Sequence, residues 1–321
     1  MVRRVLRGET GPTGGPAMTD LLGTLESWTP PVISVRPESG APVSIALADV
    51  VSGKPVPPRP PVRLRVSPDQ AETWANDSWT ALETSRLGSW LLRASAGYSA
   101  RANSVLAVGS PGVPLGDAVT AVRAFYASRG LPPWAQVVVG SGPAEDLAAA
   151  GWVLARPGEA DTLFQVASVA QAVRAVRRTL PPVAPETTVS ASVTPDWLAD
   201  DDRALAAGHA AIGVLDGPAA GGEVGLVAVH DPAEGVMAKG RVAMGPAAPD
   251  WAGITNVWVS ADRRRSGLGT VVMAALLSWA AERGATTAYL QVRGDNPAAL
   301  AAYDRLGFTT HHAYRYLTPP T

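Results

Sequence analysis

The segment richest in possible chemistry runs Val257-Trp258-Val259-Ser260-Ala261-Asp262-Arg263-Arg264-Arg265-Ser266-Gly267-Leu268-Gly269-Thr270. An apolar strand leads into an Arg- and Gly-rich turn, and the turn opens a helix. In that helix Leu268, Val271, Val272, Ala275, Leu276 and Trp279 keep the i, i+3, i+4 spacing, and Gly284 is its stop. A helix start presents unpaired N–H groups and the positive end of the dipole, which together bind phosphate. Gly267 and Gly269 let a pyrophosphate approach the backbone with no Cβ in the way, and Arg264 and Arg265 add charge for its oxygens. The expected contact set is Arg264, Arg265, Ser266, Gly267, Leu268, Gly269 and Thr270. Taken alone, such glycines are more often a tight turn and such arginines a solvated face. A second group follows: Asn296-Pro297-Ala298-Ala299, then Tyr303, then Gly307-Phe308. It reads as a short helix with Asn296 as N-cap and Pro297 at N1.

Both groups, in this order and separation, resemble the GCN5-related N-acetyltransferases. Arg264-x-x-Gly267-x-Gly269 after a strand matches that family's R/Q-x-x-G-x-G/A motif. The Asn, helix, Tyr and Gly-Phe that follow the family's next strand match Asn296 to Phe308. The resemblance covers about 187–321 and implies a mixed α+β fold in which strands 254–259 and 288–292 are parallel and splay apart. It implies acetyl-CoA as co-substrate, with its pantetheine arm against Val257, Trp258 and Val259, and Asn296 and Ala299 near the cofactor. A backbone N–H on that strand would polarise the thioester carbonyl. A primary amine would attack directly, and Tyr303 would protonate the departing thiolate. Tyr303 as a core tyrosine and Asn296 as a plain N-cap are the competing readings. Many members carry Glu at the position that is Thr255 here. Thr255 and Asn256 can hold a water but cannot take a proton from an ammonium. Glu223, Glu234 and Asp250 remain open as bases.

The elements that must position these residues are punctuated by proline. Lys54–Arg63 and Leu180–Glu186 are Pro-rich stiff linkers. They divide the chain into about 1–58, 59–181 and 182–321. The first part reads as strands Val2–Arg7, Asp20–Trp28, Val32–Arg36 and Pro42–Leu47, with a helical turn at 49–53. It resembles an SH3-like barrel. The middle part reads as strands at Trp90–Ala94 and Ala102–Val108, a helix at Asp117–Arg129, a strand at Gln136–Val139, a helix at Ala144–Ala150 and a strand at Trp152–Leu154. The last part reads as strands Glu223–His230, Met237–Met244 and Ile254–Val259, helix Leu268–Arg283, strand Tyr289–Val292, helix Pro297–Leu306 and strand Phe308–Tyr316. The middle repeats the last without its chemistry. Where the phosphate loop would be, Gly109 to Gly116 holds Pro111 and Pro114 and no Arg. The whole resembles bacterial tandem acetyltransferases whose first lobe is degenerate and which carry an SH3-like domain in front.

Composition narrows the rest. The 321 residues are 46% hydrophobic and 17% charged, with net charge −1, so the chain can bury large cores and lacks the basic footprint of a nucleic-acid binder. With no cysteine, disulfides, thiolate metal sites and Cys nucleophiles are excluded. The four histidines have no metal-ligand spacing, and His311 and His312 would point to opposite faces of a strand. No metal is expected. The longest apolar run, Val271–Ala281, is too short to span a bilayer, and the N-terminus is no signal peptide. The expected location is the cytoplasm, with no membrane partner. Most of the ten tryptophans read as packing; Trp258 could line the acceptor pocket, and Trp90, Trp134 and Trp251 are poorer candidates for it. Two rival functions are an acyl-CoA-binding regulatory protein without turnover and a scaffold built on the first domain. The acceptor and the oligomeric state are not written in the sequence.

Overall fold

The computed structural model describes residues 1–37, 39–56, 61–181, 185–199, 201–231, 233 and 235–320. Glu234 and parts of both proline runs lie outside the described residues. Contacts divide the chain into Met1–Pro60 and Pro61–Thr321.

The first unit holds β1 (Val2–Thr10), β2 (Pro16–Leu21), β3 (Gly23–Thr29), β4 (Val32–Pro37), β5 (Val43–Ala46) and β6 (Val50–Gly53). They form two three-stranded sheets, ordered β2-β1-β6 and β3-β4-β5. Buried Ile33, Val35 and Ile45 from the second sheet collect Val2, Leu21 and Val50 from the first. One core between two small sheets makes a small β-barrel. The strand expected over Asp20–Trp28 is two strands, broken at Leu22. The helical turn expected at 49–53 lies earlier, as a 3-10 turn at Leu47–Asp49. β-Branched Val50 and Val51 belong to β6, which pairs with β1.

The second unit begins with α1 (Pro68–Ser78), β7 (Glu83–Leu87), β8 (Trp90–Ala94), β9 (Val105–Leu106), α2 (Leu115–Ala127), β10 (Ala135–Val138), α3 (Gly142–Ala149), β11 (Val153–Leu154), β12 (Thr162–Ser168) and α4 (Val169–Arg177). It continues with β13 (Thr187–Ser190), α5 (Pro195–Leu198), α6 (Asp202–Ala207), α7 (His209–Asp216), β14 (Glu223–Asp231), β15 (Gly235–Met244), β16 (Trp251–Val259), α8 (Leu268–Glu282), β17 (Thr287–Arg293), α9 (Pro297–Arg305) and β18 (Thr309–Thr318).

One sheet runs through it in the order β13-β14-β15-β16-β17-β12-β18-β10-β9-β8-β7, with β11 beside β18. The order holds a repeat. From β7 to β10 the pairings run antiparallel, antiparallel, parallel, and from β14 to β17 they do the same. Each half then receives the other's last strand: β17 takes β12, and β10 takes β18. Strands β12 and β18 pair with each other at the centre. The halves are therefore bound through backbone ladders rather than through side chains alone.

Helix α8 is pressed onto β14 and β15, where small residues admit it. A Cβ on Gly240 would lie 2.7 Å from Val272 Cγ1 and 2.8 Å from Leu276 Cδ1. The buried face of α8 carries Leu268, Val272, Leu276 and Trp279, so the helix start is fixed by packing over its whole length.

His311 and His312 do not part to opposite faces. Phe164 opposes His312 and Gln165 opposes Thr310, so His311 is the extra residue of a β-bulge. The bulge puts both rings against Phe164 and brings His311 Nδ1 within 2.8 Å of His312 Nδ1. His311 Nε2 lies 2.9 Å from the Val66 carbonyl, which can only accept, so this nitrogen donates. Burial lowers the pKa of His311, followed by the charge of His312. A neutral His311 must then accept from His312 at Nδ1. On its other side His312 meets buried Glu72 of α1 at 3.0 Å, and Gln136 of β10 donates to the same carboxylate at 2.8 Å. This polar seam ties α1 to β18 and β10.

Candidate active site

Strand β16 pairs with β17 only from Trp251 to Ile254, while β15 follows it out to Val259. The β17-side edge of residues 255–259 is thus left without a ladder, as the splay requires. The cause is local. Lys239 and Arg241, two apart on β15, oppose Trp258 and Thr255, three apart on β16. The surplus residue is a bulge, and Asn256 within it has φ 53°. A bulge bends its strand and raises its twist, which turns Val257, Trp258 and Val259 away from β17.

The phosphate loop follows at once. A 3-10 turn at Ala261–Arg263 leads to Arg265, with φ 65°, and Gly267, with φ 89°. Helix α8 starts at Leu268, and no side chain caps it. The N–H groups of Thr270 and Val271 return to the Gly267 carbonyl. Those of Leu268 and Gly269 precede the first helical bond and have no intrahelical acceptor. A Cβ on Gly269 would meet only Val259 Cγ2, at 3.8 Å, so the space above that residue is open. Arg264, Arg265 and Ser266 are exposed. The Ser266 hydroxyl, however, donates back to the Arg263 carbonyl. The cradle therefore consists of open backbone donors with two exposed guanidiniums beside them, which fits a pyrophosphate group.

Asn296 caps α9: its Oδ1 accepts the Ala299 N–H at 3.1 Å. Both residues spend these groups on the cap. Tyr303 is half-buried, and its ring lies tilted 5.9 Å from that of Phe308. Tyr303, Ala299, Val257 and Val259 pack against the same core, so α9 and the bent strand share one support. Among the described residues the Tyr303 hydroxyl has no hydrogen-bond partner, and burial raises its pKa. The phenol is kept in its proton-bearing form.

The carboxylates left open as bases are not here. Glu223 pairs with Arg283 at 2.9 Å, and Asp250 takes the Thr286 hydroxyl at 3.2 Å. Both sit where β14 and β16 begin; Asp250 is six residues of strand short of Asn256, or roughly 20 Å at 3.3 Å per residue. Residues that sequence reasoning missed are Lys239 and Arg241. They alternate in an otherwise apolar strand, and that pattern was the available signal. Lys239 Nζ donates to the Trp197 carbonyl at 2.6 Å and lies 5.2 Å from the Trp258 ring centre. Arg241, opposite Thr255, is fully buried. Its Nε donates to the Leu215 carbonyl at 2.6 Å and its guanidinium lies 5.1 Å from the Trp79 ring centre, while among the described residues its terminal nitrogens and Thr255 Oγ1 have no hydrogen-bond partner. Burial lowers the Arg241 pKa to about 10.

The corresponding loop of the first repeat is closed by its own chain. Gly109 N–H donates to Asp69 Oδ2 at 3.3 Å, Gly112 N–H to Ser110 Oγ at 3.2 Å, and Ser89 N–H to the Ser110 carbonyl at 2.8 Å. Among the described residues no group of three His, Asp or Glu side chains could hold a metal, and no helix is long and apolar enough to cross a membrane.

Two family models match the chain. "Probable histone acetyltransferase Rv0428c C-terminal" matches residues 69–317, and "Rv0428c N-terminal Sm-like domain" matches residues 3–54. The "Probable histone acetyltransferase Rv0428c" of Mycobacterium tuberculosis is 29% identical over 94% of this chain and 89% of its own. The "Uncharacterized N-acetyltransferase YobR" of Bacillus subtilis is 27% identical over 76% of this chain and 96% of its own. Among solved structures, a GCN5-related N-acetyltransferase from Kribbella flavida aligns with TM-score 0.55 at 18% identity, over 79% of this chain and 95% of that one. A tandem GNAT protein from the clavulanic acid biosynthesis pathway aligns with TM-score 0.52 at 18% identity, over 68% and 76%. The chain thus belongs to the Rv0428c family, with an Sm-like N-terminal domain ahead of the acetyltransferase region, and its second unit has the fold of the tandem GCN5-related N-acetyltransferases.

Proposed function

We propose that the protein transfers an acetyl group from acetyl-CoA to a primary amine at the bend of β16, by direct attack and without an acyl-enzyme. The observation that carries this reading is the coincidence of an open strand edge at Val257–Val259 with an uncapped α8 start two turns further on. Bound acetyl-CoA supplies an activated thioester. The residues of this chain supply the rest. Leu268 and Gly269 offer backbone donors to the pyrophosphate, and Arg264 and Arg265 add charge. A backbone N–H of Val257–Val259 stabilises the oxyanion. Tyr303, neutral because it is buried, gives its proton to the departing sulfur. Thr255 Oγ1, buried and without a hydrogen-bond partner among the described residues, would hold a water that passes the ammonium proton on to solvent, in place of the Glu that many members carry. The repeat at 59–181 has its loop filled by Asp69 and Ser110 and binds no CoA.

The test is calorimetry with acetyl-CoA, followed by a screen of amines for release of free CoA thiol. One binding site and amine-dependent thiol release support the proposal. Tight binding with no release from any amine would instead make this an acyl-CoA-binding regulator, the reading that Thr255 in place of a carboxylate favours.

A further inference from the structure

Two hollows share the Arg203 side chain, and the first of them reaches the bend of β16. The first, of about 330 Å³, is lined by Asp201, Asp202, Arg203, Lys239, Asn256 and Trp258, among others. The second, of about 190 Å³, is lined by Gly97, Ser99, Leu131, Trp134, Arg156 and Arg203. Arg203 belongs to both. Its guanidinium lies 5.2 Å from the ring centre of Tyr98, a buried residue between Gly97 and Ser99. The first hollow is therefore a feature of the second repeat and the other mostly of the first. Trp134, a poorer pocket candidate than Trp258 from the sequence, forms part of a wall.

Both hollows carry charge. At the Trp258 end stand Asp201 and Asp202. Asp201 caps α6 through the Ala204 N–H, and Asp202 enters no ion pair among the described residues. Lys239 is engaged with the Trp197 carbonyl. Arg203 stands where the two linings overlap, and Arg156 lines the second hollow. Arg156 is 3.4 Å from Glu159 and lies over Trp134. Arg203 is exposed and forms no ion pair among the described residues.

Building on the acetyltransferase reading, we infer that the two hollows are one acceptor site, completed by the degenerate repeat, and that it selects primary amines carrying a carboxylate. The amine end sits by Trp258 with Asp202 as its counter-charge. The carboxylate meets the Arg203 guanidinium, whose fork matches two oxygens. Loop 97–103 and Leu131–Trp134 wall the far end. The first repeat thus gives up its CoA loop and serves in recognition.

The test compares ω-amino acids of three to six carbons with their amides, on wild type, Arg203→Ala and Arg203→Glu. Arg203 is exposed, so these variants should fold. Binding is followed by tryptophan fluorescence with CoA present, and turnover by thiol release. The acid should exceed its amide by about ten- to a hundredfold in affinity or kcat/KM, the share of a charged hydrogen-bonded pair. Arg203→Ala should erase that preference, and Arg203→Glu should reverse it. Equal acid and amide in the wild type, no binding of any acid, or an unchanged preference in Arg203→Ala would overturn the inference. Arg203-dependent acid binding with no thiol release from any amine would uphold the site and refute the acetyltransferase reading instead.

Discussion

Tyr303→Phe separates chemistry from packing because the hydroxyl does so little for the fold. The ring packs against the core that α8 and β16 share and lies beside Phe308, and phenylalanine keeps both contacts. The hydroxyl has no hydrogen-bond partner among the described residues, so its removal breaks no bond and leaves no orphaned group. The expected change in stability is within about 0.5 kcal/mol. A positioned general acid contributes roughly 10²–10⁴-fold, or about 2.7–5.5 kcal/mol of barrier. The lower end is expected, since a CoA thiolate is already a fair leaving group if its pKa is near the about 8.5 of a free thiol. Burial raises the Tyr303 pKa above the ordinary phenol, so the wild-type rate should show no alkaline decline from this group until above about pH 10. The assay is kcat by thiol release with the best amine of the screen, beside the melting temperature of the same preparation. A lower kcat at an unchanged melting temperature is expected. A wild-type kcat with a lowered melting temperature would remove Tyr303 from the mechanism.

Gly240→Val places two methyls where one Cβ is already 2.7 Å from Val272. It should lower stability by about 1–3 kcal/mol through overpacking, read from denaturant midpoints, and weaken acetyl-CoA binding by shifting α8. At alkaline pH the fold should weaken. Burial raises both Tyr126 and Tyr289 to about 12, against about 10 in the unfolded chain. Their neutral forms favour the fold fully below pH 10, and that advantage is lost as pH rises from 10 through 12. Denaturant midpoints at pH 9 and pH 11 should differ accordingly, and equal midpoints would contradict the burial argument. Gly112→Ala lies in the loop of the first repeat at φ 72°. It should strain that loop, costing about 1–2 kcal/mol, with acetyl-CoA affinity per folded molecule unchanged by calorimetry.

How much of this was legible beforehand depended on range. Helix α8 and the loop before it were readable because both signals are local: a 3.6 period in Leu268–Trp279 and glycines at the helix start. The splay was readable only through family resemblance. Its cause, the bulge at Asn256, is a mismatch between two strands that neither shows alone. Strand β12 was not named from the sequence although Leu163, Phe164 and Val166 mark it, and its exchange with β18 depends on pairings over a hundred residues apart in sequence. The histidine pair failed for the same reason, since alternation along a strand holds only where no residue is surplus. Glu223 and Asp250 were open candidates because sequence order does not say which end of a strand a loop occupies. Arg203 and Trp134 meet only after the two repeats are joined in one sheet.

The central claim is that acetyl-CoA is held by the open N–H groups at the start of α8 and nowhere else in the chain. Calorimetry on wild type and Gly269→Asp tests it directly. Above Gly269 nothing lies closer than Val259 Cγ2 at 3.8 Å, so an aspartate fits sterically but puts a negative charge where the pyrophosphate must come. The expected result is one acetyl-CoA site per wild-type chain and no measurable binding to Gly269→Asp at an unchanged melting temperature. Two sites per chain, or undiminished binding after the substitution, would contradict it.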